Sequence, residues 1–94
     1  LTNNLIKELP ATFSQLQSLR TIYLDKNELH VFPEQLLKLR SLEMIDISKT
    51  NIIELPLQLA EMPNLNIIYV RDTTISSKQI ERIREINPDI NILK

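Results

Sequence analysis

Apolar side chains recur two residues apart in three short stretches of the chain, and each stretch begins 23 residues after the one before it. The three pairs are Ile22/Leu24, Ile45/Ile47 and Ile68/Val70. A period of two is that of a short strand with one buried face. One such strand cannot bury its apolar face alone, so the pattern predicts that the strands stack into a parallel sheet over a continuous core.

A second feature recurs at the same interval between the predicted strands, where an apolar residue precedes a proline. The three dipeptides are Leu9-Pro10, Phe32-Pro33 and Leu55-Pro56. Proline ends strands and cannot lie inside a helix, because it lacks the backbone N–H and its ring clashes with the preceding turn. We therefore expect irregular or short 3₁₀ segments on the side opposite the sheet.

The stretches that begin at Leu19, Leu42 and Leu65 all fit the pattern L-x-x-L-x-L-x-x-N/T. Together with the proline segments, this pattern resembles the leucine-rich repeat family, in its 23-residue class with L-P-x-x-L-x-x-L outer segments. The resemblance implies an α/β fold: a right-handed solenoid with a short curved parallel sheet on its concave side, an irregular or 3₁₀ outer side, and a C-terminal capping helix and strand. We expect a single domain over residues 1–94, with a partial repeat 1–18, repeats 19–41 and 42–64, and a last repeat with the cap, 65–94.

Asn or Thr ends each predicted strand, at Asn4, Asn27, Thr50 and Thr73. An amide or hydroxyl side chain at this point can bond to backbone groups left unpaired where the chain turns inward. Since Thr has one donor and Asn has two, we expect this ladder of side chains to be weaker in the C-terminal half.

The residues after Ile75 depart from the repeat pattern. Ser76 followed by Gln79 predicts a capping box at a helix start, and Pro88 predicts a helix end near Asn87. Ile80, Ile83 and Ile86 predict the apolar stripe of that helix. Ile90 and Ile92 predict a last strand one residue out of strict register, because strict register would bury Asn91. The segment is expected to be the C-terminal cap.

The first residues show no polar cap, and the chain opens inside a predicted strand. The apolar residues expected to face a missing neighbour are Leu1, Ile6, Leu9, Phe13 and Leu16. Two interpretations follow: the chain is a fragment of a longer array, or its uncapped N-terminal edge pairs with a second copy, as unpaired strand edges tend to do.

Composition excludes several classes of function. Eleven basic and twelve acidic side chains leave a net charge of −1, without the excess of positive charge that nucleic-acid binding favours. Absence of cysteine and glycine excludes disulfides, Cys-based zinc sites and Gly-rich phosphate loops. A single histidine excludes sites that need two imidazoles. No apolar run approaches the roughly 18 residues of a membrane span. We expect no cofactor and no metal.

Candidate binding residues lie in the columns that alternate with the buried ones on the sheet. Those expected to contact a partner are Tyr23, Tyr69, Met44, Ile67, Arg71, Asp46 and Lys49. Tyr and Arg are enriched at protein interfaces, and Met44 and Ile67 are apolar at positions expected to face water. The alternative is an ordinary solvated sheet face with the cross-strand pairs Tyr23/Asp46 and Lys49/Asp72.

Catalysis is not expected from these residues. The carboxylates on the predicted sheet face have lysine or arginine beside them, which favours charge pairing over acid/base work. Ser48 has no histidine base near it in the pattern, and His30 is expected to be solvated.

The function predicted is therefore a non-catalytic protein–protein interaction module that binds a protein or peptide through its concave sheet face. The alternative is a regulatory or substrate-recruiting arm of a larger enzyme that lies N-terminal to this segment. The cysteine-free cap favours a cytoplasmic location, although bacterial secreted and surface-associated family members also lack such cysteines.

Overall fold

Four short parallel strands form one sheet in the computed structural model, which describes residues 5–94. They are β1 (Thr21–Tyr23), β2 (Met44–Asp46), β3 (Ile67–Tyr69) and β4 (Asn91–Leu93), and they lie in the order β1-β2-β3-β4. The predicted parallel sheet is confirmed. The predictions made for Leu1 and Asn4 lie outside the described residues.

The register of the sheet places equivalent residues of successive repeats side by side. Ile22 lies opposite Ile45, Ile45 opposite Ile68, and Ile68 opposite Ile92, and all four are buried. Burial of one face of every strand fixes this register, because a shift of one residue would turn the isoleucines into solvent. The result is one continuous core beneath the sheet.

Short 3₁₀ segments form the opposite side, at Ala11–Gln15, Glu34–Lys38 and Leu57–Glu61. Each begins directly after one of the recurring prolines, whose ring holds φ near the value the first turn needs. In each, the proline carbonyl accepts a hydrogen bond from the N–H three residues later, at 3.0–3.2 Å. The predicted 3₁₀ outer side is therefore confirmed.

The column of Asn and Thr at the strand ends bonds to the backbone as predicted. The Asn27 Nδ2 donates to the Leu24 carbonyl at 2.9 Å, and its Oδ1 accepts from the Ile6 N–H at 3.2 Å. The Thr50 and Thr73 hydroxyls each donate to the carbonyl three residues earlier, at 2.7 Å. Asn27 thus reaches the preceding repeat, which the shorter threonines do not.

One helix, α1 (Ser77–Ile86), packs against the third 3₁₀ segment. The Ser76 hydroxyl caps it by accepting from the Gln79 N–H at 3.3 Å. The predicted capping box is only half formed. The Gln79 Oε1 accepts instead from the Leu55 N–H at 2.8 Å and so joins the helix to the turn before Pro56.

The predicted apolar stripe of α1 is wrong at its last residue. Ile80 and Ile83 are buried, whereas Ile86 is 57% exposed. Each residue turns an α-helix by about 100°, so Ile86 points about 120° away from Ile80 and cannot share its face. Beyond the helix the shifted register is confirmed, since Ile90 and Ile92 are buried and Asn91 is exposed.

The first described residues are covered unequally. Leu9 is buried, contrary to expectation, and its carbonyl accepts a hydrogen bond from the Gln35 side chain at 2.7 Å. Ile6 and Phe13 pack partly against the core, while Leu16 is 46% exposed. Pairing of two copies through this side stays a prediction.

Within residues 5–94, no helix has the length and apolar character to cross a membrane.

Candidate functional site

Two rows of side chains lie on the solvent side of the sheet, because burial of the isoleucines sends their neighbours outward. We call these residues, with Lys49 and Arg71 just beyond the strands, the exposed sheet face. One row is Tyr23, Asp46 and Tyr69, and the other is Thr21, Met44 and Ile67, each in direct register. Adjacent strands lie about 4.8 Å apart, so the first row is roughly 10 Å long.

Exposure varies along these rows. The side chain of Tyr23 is 50% exposed, whereas Tyr69, Asp46, Met44 and Ile67 are half-buried. Met44 and Ile67 form an apolar pair at the side of the sheet where the strands begin. The exposed sheet face therefore offers apolar and aromatic area within reach of charged groups.

Arg71 lies over Tyr69, at one end of the row of Tyr23, Asp46 and Tyr69. Its guanidinium carbon is 5.4 Å from the centroid of the Tyr69 ring, which is the distance of a cation–π contact. The Arg71 N–H donates to the Ser48 hydroxyl at 3.0 Å. Both the backbone and the side chain of this exposed residue are thus held in place.

Ser48 supports the site although sequence analysis gave it no part there. It lies in an outward column but is buried, and its own N–H donates to the Asp46 Oδ1 at 3.0 Å. Ser48 therefore links Asp46 on one strand to Arg71 on the next repeat. The signal in the sequence was that Ser48 stands between Asp25 and Arg71 in the column of equivalent repeat positions. A small hydroxyl side chain there can form a hydrogen bond with the neighbouring repeat.

The chain turns away from the sheet through residues with a left-handed backbone. Lys26, Lys49 and Asp72 have φ of 59°, 56° and 55°. This conformation costs roughly 1–2 kcal/mol for a residue with a Cβ. Because the chain has no glycine, residues with a Cβ adopt it at this turn of each repeat. At this corner the Lys49 N–H donates to the Arg71 carbonyl at 2.8 Å, so the two basic residues are neighbours.

A shallow depression of roughly 500 Å³ covers much of this face. It brings together six of the seven predicted contact residues, and Ile67 lies outside it. The six are Tyr23, Met44, Asp46, Lys49, Tyr69 and Arg71. Their role in binding stays a prediction.

Of the cross-strand pairs expected on this face, Lys49 and Asp72 form no ion pair. The ion pair present among residues 5–94 joins Arg20 to Glu43, with 3.9 Å between the Arg20 Nε and the Glu43 Oε2. Tyr23 and Asp46 are opposite each other in the sheet.

Residues 5–94 contain no cluster of three or more His, Asp or Glu side chains that could hold a metal ion.

A second depression, of roughly 470 Å³, lies beside the first two 3₁₀ segments and was not predicted. His30 lines it and is exposed, and Val31 on the same wall is 75% exposed. The signal in the sequence was an apolar Val31 in a column that has Glu8 and Glu54 in the neighbouring repeats.

Comparison with known proteins relates this fold to solved structures. No family model matches this sequence, and neither does any curated protein. Among solved structures, a leucine-rich repeat protein of Leptospira interrogans superposes with a TM-score of 0.87 over 98% of this chain, with 29% sequence identity. The chain has a leucine-rich repeat fold. This leucine-rich repeat segment spans 24% of the length of the Leptospira protein.

This fold indicates the general type of function. Leucine-rich repeat folds are typically non-enzymatic, and stacked repeats offer extended surfaces for protein partners.

Proposed function

We propose that the chain is a non-catalytic protein-interaction module that binds a protein or peptide segment through the exposed sheet face, on the concave side of the solenoid. The observation that carries this proposal is the in-register row of Tyr23, Asp46 and Tyr69, with Arg71 stacked over its end. The proposed contact residues also include Met44, Ile67 and Lys49.

The chemistry of these residues supports a protein partner. Tyr and Arg supply large contact area with few rotatable bonds and dominate binding energy at many interfaces. Met44 and Ile67, which lie opposite each other in register, provide the apolar contact, and Asp46, Lys49 and Arg71 provide polar groups in the depression. A standard interface buries about 800 Å² per partner, so a partner would use most of the exposed sheet face.

Affinity capture from a lysate of the source organism tests the proposal. The chain is compared with the triple variant Tyr23→Ala, Tyr69→Ala, Arg71→Glu, and bound proteins are quantified by mass spectrometry. We expect at least one specific partner that the triple variant loses. The matched control is Val31→Ala, Ile53→Ala, Arg82→Glu, which changes two exposed apolar residues and one exposed arginine away from this face.

Folding of the variants is checked by circular dichroism and thermal melting. Because Tyr69 is half-buried, the single variants Tyr23→Ala and Arg71→Glu are measured alongside the triple variant. Partners retained by all face variants and lost by the control triple would contradict the proposal and move the binding surface to the outer side.

The alternative, a regulatory or substrate-recruiting arm of a larger enzyme, uses a binding face in the same way and differs in what the chain is joined to. The full-length open reading frame distinguishes the two: an enzyme domain on the same polypeptide would support the recruiting arm.

A further inference from the structure

We infer that the segment bound by the exposed sheet face is acidic, and that Arg71 and Lys49 bind one of its carboxylates beside the Tyr69 ring. This inference rests on the proposed function and adds the chemistry of the partner. It names a local site, the Arg71–Lys49 corner, where the partner's Asp or Glu side chain would be bound.

The placement of Arg71 is the first observation. Stacking on Tyr69 orients the planar guanidinium, and the bond from the Arg71 N–H to Ser48 fixes its backbone. A guanidinium presents five N–H donors in a fork that matches a carboxylate with two parallel hydrogen bonds. Between residues 5 and 94, no carboxylate lies within 4.0 Å of this guanidinium. The guanidinium of this exposed residue therefore lies over Tyr69 with no carboxylate of residues 5–94 paired to it.

Lys49 is a second basic residue at this corner and lines the same depression as Arg71. The bond from the Lys49 N–H to the Arg71 carbonyl makes the two residues neighbours across adjacent repeats, and both side chains are exposed. Two adjacent positive groups repel each other and attract one anion between them. The left-handed turn at Lys49 places this pair at the corner where the strands end.

Three aspartates line the same depression, but among residues 5–94 none has a carboxylate within 4.0 Å of the Arg71 guanidinium or the Lys49 ammonium. Asp46 accepts the Ser48 N–H, and Asp25 takes part in an interaction of its own. Asp72, in the same corner row as Lys49, carries a charge that would repel an acidic partner. Asp72 therefore provides a variant expected to strengthen binding, because Asp72→Asn removes the charge and keeps a residue type that tolerates the left-handed backbone.

The probe is a library of random dodecapeptides displayed on phage and selected on the immobilised chain. We expect the selected peptides to be enriched in Asp or Glu together with apolar residues. Selection on Arg71→Gln should lose the acidic enrichment and keep the apolar enrichment. Selection on Arg20→Gln, which removes an exposed arginine outside the depression, should match the native chain.

Affinity of the most enriched peptide is then measured by calorimetry. We expect Arg71→Gln to weaken it about tenfold, the scale of one charge-assisted hydrogen-bonded pair, and Asp72→Asn to strengthen it roughly two- to threefold. Replacing the peptide's acidic residue by its amide should remove the difference between native chain and Arg71→Gln. Binding should also weaken when salt rises, since exposed charges are screened.

The outcomes separate this inference from the proposed function. Peptides that require Tyr23 and Tyr69 but show no acidic preference would overturn the acidic partner and leave the proposed function standing. Peptides that bind equally to the native chain and to the Tyr23→Ala, Tyr69→Ala variant, or a complete lack of enrichment, would overturn both.

Discussion

Asn27 makes hydrogen bonds that the threonines of its column cannot make. Its amide donates to Leu24 and accepts from Ile6 in the preceding repeat, so one side chain joins two turns. The hydroxyls of Thr50 and Thr73 bond within their own turns. The choice between Asn and Thr thus decides whether a strand end is tied to its neighbour by a side chain or by the backbone alone.

At this scale we predict that Asn27→Ala lowers the free energy of unfolding by about 2–3 kcal/mol, because it leaves buried backbone groups without partners. Thr73→Ala, which removes one bond at a half-buried site, should cost about 1 kcal/mol. Urea titration followed by circular dichroism measures both. Equal costs at the two positions would contradict the role of Asn27 between repeats.

The cap helix shows how one element depends on another. Its start is set locally by Ser76, and its packing is set by Ile80 and Ile83. Gln79 adds a connection that crosses from α1 to the backbone of Leu55, 24 residues earlier. The helix is therefore bound to the repeat stack by a polar contact as well as by apolar packing.

For this element we predict that Gln79→Ala lowers the free energy of unfolding by about 1–2 kcal/mol, since the Leu55 N–H loses its acceptor. Gln79→Glu keeps an oxygen at the same position and should cost less than Gln79→Ala. Thermal melting compares the two variants with Glu81→Ala, an exposed position on the same helix expected to change stability by no more than about 0.5 kcal/mol. A destabilisation by Glu81→Ala as large as that by Gln79→Ala would contradict a stabilising role for the hydrogen bond between Gln79 and Leu55.

Over the whole molecule, stability comes from contacts between successive repeats. The isoleucines in register beneath the sheet are buried, and the two central ones, Ile45 and Ile68, each lie between counterparts on both neighbouring strands. In an array of this kind each repeat contributes its own stability and the stability of its contacts with its neighbours. A change in a central repeat therefore affects two sets of contacts, and a change at the exposed side of the first repeat affects fewer.

We accordingly predict that Ile45→Ala lowers the free energy of unfolding by about 3–4 kcal/mol, because it leaves a cavity at a fully buried central position. Leu16→Ala, at a side chain that is 46% exposed, should cost less than about 1 kcal/mol. Chemical denaturation of both variants measures the difference. Similar losses would mean that the stack is not continuous through its centre.

The sequence by itself determined the repeat, its strands and 3₁₀ segments, the ladder that contains Asn27, and the outward row around Tyr23 and Tyr69. These features depend on local physical rules: a two-residue alternation, the missing N–H of proline, and the donors and acceptors of a side chain. Register followed as well, because only one register buries the isoleucines. Predictions made from these rules agree with the structure at the positions where successive repeats carry equivalent residues.

Only the tertiary structure decided the partner of Gln79, the burial of Ser48 and the stacking of Arg71 on Tyr69. Each of these depends on where a side chain of one repeat meets a group from another, which no spacing along the chain specifies. Gln79 could complete its capping box or reach Leu55, and only the packed position of the helix selects Leu55. Arg71 could pair with an aspartate or stack on an aromatic ring, and only the fold places Tyr69 beneath it.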